Sequence, residues 1–339
     1  MQFSICIPTF NRVDNLNNCL NSILISDKLQ NDFNYEICIS DNGSTEKVEK
    51  IVDFYKSKLK IKFHKFEKNM GFALNALKTV DMAEGEFVWM IGNDDLLLPE
   101  SLSKIKKLLS NNKEPEYFFI NSFHLNSNFL KEFPRPFDTK NLPINKLKSI
   151  SKVKSSKQVE FWEIIDPEVS WDFLIGIYLS IFKREKWNKH KSILNYQDLN
   201  DARYWSNFNN TCIHPIIMGS AFKNSKAFIC AEPLSVNLSG QREWSKLYEF
   251  IEIIRLPELL DYYRNQGMSL KRYLYNKNYS LRNFSNYFFK ILIRGEEYGR
   301  NYINFKKHII PNLFYPNVYL SIIKSLFRIN LKIIKKLIK

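Results

Sequence analysis

Across the first 109 residues, short apolar runs alternate with stretches of helical periodicity, and that alternation leaves the chain very few folds. Phe3–Pro8, Tyr35–Ser40, Ile61–Phe66 and Phe87–Ile91 are brief, rich in β-branched and aromatic residues, and each stops at turn formers. Such runs read as buried strands. Between them Val13, Leu16, Leu20, Ile23 and Leu24 recur at helical spacing, as do Val48, Ile51, Val52 and Tyr55 within a helix expected over Glu46–Lys58. Phe72–Asp81 and Leu102–Leu109 read as further helices and Tyr117–Asn121 as a further strand. Repeated βαβ units of this length specify an α/β fold with a Rossmann-like, mostly parallel, doubly wound sheet.

The pattern then changes. Residues 126–160 are rich in Lys and Ser and are interrupted by Pro134, Pro136 and Pro143, as expected of a long connection. Phe173–Phe182 is expected to be helical, Asn195–Asn210 to be a polar loop, Ile213–Ala221 helical, and Ala227–Leu238 a strand. Residues 245–310 read as mainly helical. The expected divisions are 1–125 as the α/β core, 126–244 as the rest of that domain, and 245–339 as a helical, basic region.

Charge sharpens the last division. The formal net charge is +15, yet residues 271–339 carry 15 Lys/Arg against only Glu296 and Glu297, leaving the first 270 residues nearly neutral. On a helical wheel at about 100° per residue, Leu320, Ile322, Ile323, Leu326, Phe327, Ile329, Leu331, Ile333, Ile334, Leu337 and Ile338 share one arc. Lys324, Arg328, Lys332, Lys335 and Lys339 hold the other, with Lys336 at the boundary and Asn330 the one intrusion. A basic amphipathic helix of this kind suits an anionic membrane surface. Its apolar arc is too broad for an arm that tracks nucleic-acid phosphates.

Five scattered cysteines, Cys6, Cys19, Cys38, Cys212 and Cys230, lack C-x-x-C spacing. They argue against a disulfide framework or zinc site and fit a reducing compartment. No signal peptide precedes the first strand, and no uninterrupted apolar run reaches the roughly 18 residues of a membrane span. The expected location is therefore cytoplasmic and peripheral, on the inner face of the membrane.

The chemistry concentrates where strands end. Pro8-Thr9-Phe10-Asn11-Arg12, Asp41-Asn42-Gly43-Ser44, Asn69-Met70-Gly71 and Asn93-Asp94-Asp95 each follow a strand, and in a parallel sheet those ends converge on one crevice. Asp94 and Asp95 can hold a divalent cation against a diphosphate, because hard cations take oxygen ligands. Asp41 can accept a hydrogen bond from a base N–H. Asn69 and Asn75 can bond ribose or phosphate, and Gly71 permits close backbone approach at a helix start. Taken singly, these are ordinary turn and cap residues. The dinucleotide fingerprint and the P-loop are both absent.

The segments SICIPTFNR, EICISDNGSTE, NMGFALNA and VWMIGNDDLLLPESL together resemble the nucleotide-sugar domain of family-two glycosyltransferases, which have the GT-A fold. FLIGIYLSIFKREKWN, NNTCIH and AEPLSVNLSG more loosely resemble its abequosyltransferase-like branch. The resemblance implies inverting transfer from a nucleotide-diphospho-sugar, with Mg²⁺ or Mn²⁺. It implies that Thr9, Asp41 and Asn69 contact the nucleoside, and that Asp94 binds the metal with Asp95 supporting it or sharing the ion. Two departures stand out. Gly92 occupies a position where many members carry an acid, and Thr211-Cys212-Ile213-His214 replaces the family's usual Glu-Asp pair.

Direct displacement needs a base for the acceptor hydroxyl. His214 can serve, can complete the metal's ligand set, or can be a structural residue before Pro215; Asp198 and Asp201 are reserve candidates. Arg242 and Trp244 can grip diphosphate or stack on a sugar, or can lie in an exposed loop. The expected partners are thus a nucleotide-diphospho-sugar, a lipid-linked or surface-polysaccharide acceptor of capsule or O-antigen type, and an anionic membrane. The alternatives are an inactive GT-A scaffold and a sugar nucleotidyltransferase, although PTFNR does not resemble the Gly-rich loop of the latter.

Overall fold

The computed structural model describes residues 2–30, 32–240 and 243–337, with the backbone alone for 243 and 328–337. The chain divides into two compact units, one of Met1–Tyr204 and Ile213–Arg242, the other of Trp205–Cys212 and Glu243–Lys339.

The first unit is built on one sheet. Its strands are β1 (Phe3–Thr9), β2 (Tyr35–Asp41), β3 (Ile61–Lys65), β4 (Phe87–Met90), β5 (Asp95–Leu97), β6 (Tyr117–Asn126), β7 (Lys148–Ser149), β8 (Lys157–Glu160), β9 (Ser180–Lys183) and β10 (Lys226–Ser239). The order is β3-β2-β1-β4-β9-β6-β10-β5, with β7 beside β6 and β8 beside β10. The first four strands are mutually parallel, with Thr9 registered on Asp41 and Asp41 on Lys65. Every residue of β1 and β2 is buried, because helices cover both faces of such a sheet and the strands read as continuous apolar runs. Helices α1 (Val13–Asp27), α2 (Val48–Lys56), α3 (Phe72–Asp81) and α4 (Ser101–Asn111) follow in the expected places. α1 buries Leu16, Cys19, Leu20 and Ile23 on one face. α2 starts two residues later than its periodicity predicts, because Glu46 is otherwise engaged: its carboxylate accepts from the Val13 amide at 2.7 Å, capping α1.

Three expectations give way. Phe173–Phe182 is not helical; it forms two short 3₁₀ turns and then β9, which pairs antiparallel with both β4 and β6. A strand buried on both faces shows no alternation, so its sequence is indistinguishable from a buried helix. Residues 126–147 are not a loose connection. Three 3₁₀ turns fold around Leu130, Phe137 and Leu142, which pack on Leu96, Val236 and Leu238. Asn18 and Asn21 bond the Phe137 backbone from α1. Proline breaks regular elements there, yet irregularly spaced apolar residues still find burial. The stretch 195–210 likewise holds the short helices α6 (Tyr196–Leu199) and α7 (Phe208–Thr211), capped by Asn195 and Asn207, after α5 (Arg184–His190). Helix α8 (Ile213–Ala221) forms as expected and is buried on every side.

The second unit is helical: α9 (Tyr248–Phe250), α10 (Leu256–Asn265), α11 (Leu270–Ser280), α12 (Phe284–Arg294) and α13 (Pro316–Leu337). Buried Arg255 organises one end. It donates to the Trp205 and Ser206 carbonyls at 3.2 and 2.9 Å and pairs with Glu258 at 2.5 Å. Burial alone would raise the Glu258 carboxyl, but His308, Arg255 and Lys307 outweigh it and bring its pKa down to about 2. The amphipathic tail is helical from Pro316, while Ile338 and Lys339 lie outside the described residues. Among the described residues, no helix is long and apolar enough to cross a membrane.

Candidate active site

Four loops meet at the carboxyl edge of β1, β2, β3 and β4, and side chains tie each to its neighbours. Thr9 is the hub. Its hydroxyl accepts from the Asn93 amide at 2.7 Å, and its carbonyl accepts from the Asn42 backbone at 2.9 Å and from Asn75 Nδ2 at 3.2 Å. Asn42 in turn donates to Asn69 Oδ1 at 2.8 Å and accepts from the Met70 amide at 2.9 Å. Asn69 Oδ1 also accepts from the Gly71 amide at 2.8 Å. Gly71 opens α3 with φ of 85°, a left-handed geometry that favours glycine, and a Cβ there would meet Ala202 Cα at 3.1 Å.

The first two loops are also joined. Asn11, at φ 47°, donates its amide to Ser44 Oγ at 2.8 Å and accepts from the Thr45 amide at 2.9 Å. Ser44 passes the link on, donating from its hydroxyl and amide to Asp41 Oδ1 at 2.5 and 3.2 Å. Asp41 is fully buried and its other oxygen, Oδ2, has no hydrogen-bond partner among the described residues; Lys65 Nζ stands 3.9 Å away. Burial, only partly offset by Ser44 and Lys65, pushes the Asp41 carboxyl up. Asn75 Oδ1 is likewise buried without a partner. Two orphaned acceptors beside one crevice are groups a ligand's N–H or O–H can satisfy.

The two acids of Gly-Asn-Asp-Asp do different jobs. Asp95 is held by its own turn, Oδ2 accepting from the Gly92 amide at 2.6 Å and Oδ1 from Asn237 on β10 at 2.7 Å. Asp94 faces Arg12, whose Nη1 lies 3.5 Å from its Oδ2. Both Asp95 oxygens thus already accept protein donors, which makes Asp94 the better-placed candidate ligand of the two. Gly92, where many family members carry an acid, leaves room for these carboxylates, since a Cβ there would sit 2.6 Å from Asp94 Oδ1 and 3.1 Å from Asp95 Oδ2. Among the described residues no three His, Cys, Asp or Glu side chains form a metal cage. One carboxylate nonetheless fits a hard cation that takes its other ligands from a diphosphate and water, the usual arrangement for Mg²⁺.

The remaining candidates separate. Pro8 is a buried strand residue registered on Ser40. His214 does not reach a solvent-facing position. It is buried in α8 with neither ring nitrogen bonded among the described residues, and burial lowers its pKa to about 3. A neutral imidazole so buried and so weakly basic is a poor proton acceptor. Asp201 is partly exposed and gripped by Arg203 through two contacts of 2.9 and 2.7 Å. Its neighbour Ala202 is the residue packed against Gly71, so the Asp201 segment borders the crevice. Asp198 sits in α6 of the same segment. Trp244 lies in the second unit within an aromatic cluster, 4.5 Å from Trp205 and 5.0 Å from Tyr248 between ring centroids. Arg242 lies outside the described residues. Sequence reasoning passed over Asn42, Ser44 and Asn237. The first two stood inside the Asp-Asn-Gly-Ser turn, and polar residues clustered at one strand end were their only signal.

The sheet is mixed rather than mostly parallel, because β5, β7, β8 and β9 pair antiparallel with their neighbours. Its parallel half, whose strand-end loops gather an acid beneath a basic side chain, nonetheless fits a GT-A type of catalytic domain. Residues 4–146 match the family model "Glycosyl transferase family 2". It is 38% identical over 111 residues to abequosyltransferase RfbV of Salmonella typhimurium, covering 32% of this chain and 33% of that one. It is 33% identical over 103 residues to the poly(ribitol-phosphate) β-N-acetylglucosaminyltransferase TarS of Staphylococcus aureus, covering 30% of this chain and 18% of TarS. The chain therefore spans about a third or less of the length of these two relatives. In fold it is similar to S. aureus TarS 1–349 in complex with UDP-GlcNAc, with a TM-score of 0.58, 16% identity, and coverage of 84% of this chain and 73% of that one.

Proposed function

We propose that the protein is an inverting glycosyltransferase that moves one sugar from a nucleotide-diphospho-sugar to a lipid-linked or surface-polysaccharide acceptor at an anionic membrane. The observation that carries this reading is the crevice itself, where Thr9, Asp41, Asn69, Asn75 and Asp94 lie on loops bonded to one another. Asp41 Oδ2 would accept from a base N–H, and Asn75 Oδ1 from a ribose hydroxyl. Arg12, in contact with Asp94, would turn its guanidinium to the diphosphate. A bound Mg²⁺ or Mn²⁺ would neutralise charge on the departing diphosphate, and Asp94 would hold it.

The transfer forms a bond from the acceptor oxygen to the anomeric carbon and breaks the bond from that carbon to the diphosphate. The acceptor's hydroxyl proton goes to a base. Asp201 fits this role better than His214, since its carboxylate is accessible and its segment borders the Gly71 loop. The amphipathic helix α13 would hold the enzyme beside its acceptor on the cytoplasmic face. The test is turnover of candidate nucleotide sugars with Mn²⁺ by the full chain. Asp94→Ala should abolish release of nucleoside diphosphate; unchanged turnover in that variant would remove the proposed role.

A further inference from the structure

Helix α13 turns the wrong side inward for a helix that ends a globular domain. Among the described residues it buries Val318 and Ser321, and it bonds α12 through hydroxyls: Ser321 Oγ accepts from the Ser285 amide at 3.0 Å, and the hydroxyls of Ser285 and Ser325 are 3.0 Å apart. Tyr319, Leu320, Ile322, Ile323, Leu326 and Phe327 all face outward, Phe327 with 67% of its surface exposed. The base of the helix is fixed in this orientation. The Asn317 backbone and side chain bond Asn278 on α11 at 2.9 and 2.7 Å. Tyr315 donates to Tyr273 at 3.2 Å, beside the ion pair of buried Lys277 with half-exposed Asp261.

The exposed apolar surface does not stop at α13. On α12, Phe289 and Ile293 lie four and eight residues beyond Ser285, on the stripe that begins at the α13 contact, and are 57% and 83% exposed. The segment between the two helices adds Phe305, Ile310 and Phe314, the last 85% exposed. Phe305 packs on Phe288 of α12 at 5.9 Å, which ties that segment to the same helix. Apolar exposure on this scale marks an interaction surface.

Charge selects the occupant. Arg294, Lys306 and Lys324 are interleaved with these residues, beside Lys290 and Lys307, which pair with Glu249 and Glu258, and no acid follows Glu297 in the sequence. A second copy would set one strongly basic surface against another. An anionic bilayer instead attracts each nearby Lys or Arg by about 1 kcal/mol and accepts the apolar side chains at its interface. We infer that the membrane-binding surface is a preformed three-part platform of α12, the 305–314 segment and α13, rather than the terminal helix alone. This rests on the reading that the enzyme works at an anionic membrane, and extends it to residues before α13.

All five native cysteines are buried, so Phe289→Cys, Phe314→Cys and Phe327→Cys in the full chain can each be labelled with an environment-sensitive fluorophore. The probes are vesicles of phosphatidylcholine containing phosphatidylglycerol, with brominated acyl chains as quencher. All three labels should brighten on binding and be quenched from within the bilayer. Phe289→Glu combined with Ile293→Glu should weaken vesicle binding about tenfold or more with an unchanged melting temperature. Quenching at position 327 alone would overturn the three-part platform and leave the membrane reading standing. Failure of the full chain to bind vesicles at all would overturn that reading as well. Dimerisation without vesicles, with no label quenched, would assign the surface to a protein partner and refute the proposal.

Discussion

Replacing Asp41 with Asn changes one atom at the floor of the crevice, and the structure fixes what that atom does. Oδ1 takes both hydrogen bonds from Ser44, including its backbone N–H, so an Asn side chain must place its carbonyl oxygen there. Its NH₂ group then occupies the site of Oδ2, the oxygen without a partner. A base N–H that would have met a carboxylate oxygen meets a donor instead. Hydrogen bonds to charged groups contribute about 1.5–3 kcal/mol, so the nucleotide's Kd should rise on the order of 10- to 150-fold. The fold should not suffer, because burial already disfavours the charged carboxylate and a neutral amide removes that cost. Calorimetric titration with UDP, dTDP, GDP and CDP measures the effect, with thermal melting as the control for folding. Wild-type protein should bind nucleotides whose base carries a ring N–H and discriminate against CDP, whose cytosine has none at that position. Binding should also weaken on acidification at a higher pH than for an ordinary aspartate, since protonated Asp41 loses its acceptor. An Asp41→Asn protein that melts normally and keeps its nucleotide Kd within threefold would refute the assignment.

Other expectations concern the acids, the base and the helical unit. Gly92→Ala should displace Asp94 and Asp95, lowering metal-stimulated turnover by tenfold or more while nucleotide binding at Asp41 is retained, as paired kinetic and binding assays would show. Asp201→Asn should reduce kcat about a hundredfold or more, whereas His214→Leu should leave kcat within about threefold, since the imidazole has no partner to lose. Glu258→Gln should destabilise the protein by about 3 kcal/mol in chemical denaturation, as expected when a buried ion pair loses one member. Because the Glu258 pKa falls from 4.5 to about 2 on folding, its stabilisation is complete above pH 4.5. It should disappear as pH drops from there through 2, and denaturation at stepped acidic pH should show that slope in wild type but not in the variant.

The βαβ core was legible because each strand there is a short apolar run closed by turn residues, and each helix shows its apolar stripe. The carboxyl edge followed from parallel topology alone, which brought Thr9, Asp41, Asn69 and Asp94 to loops that are bonded to one another. What stayed hidden was whatever periodicity cannot encode. β9 carries no alternation because both of its faces are buried. The 126–147 segment has an apolar core but no regular spacing. Division of labour between Asp94 and Asp95 depends on Asn237, which is 142 residues away from Asp95 in sequence. For His214, sequence supplied a residue type suited to proton transfer but gave no sign of its burial in α8. Gly92 looked like a lost ligand, whereas the turn geometry makes it the residue that leaves room for the acids.

The bonds among Asn11, Ser44, Thr45, Glu46 and Val13 stitch the first two strand-end loops into a single piece of wall. A ligand arriving at this wall has little left to organise, so the ordering entropy that flexible recognition loops surrender on binding was already spent when the protein folded. The same stitching limits how the site can drift. A change in one loop is transmitted to its neighbour, so altered nucleotide preference is expected to arise through matched replacements in both loops rather than through single substitutions in either.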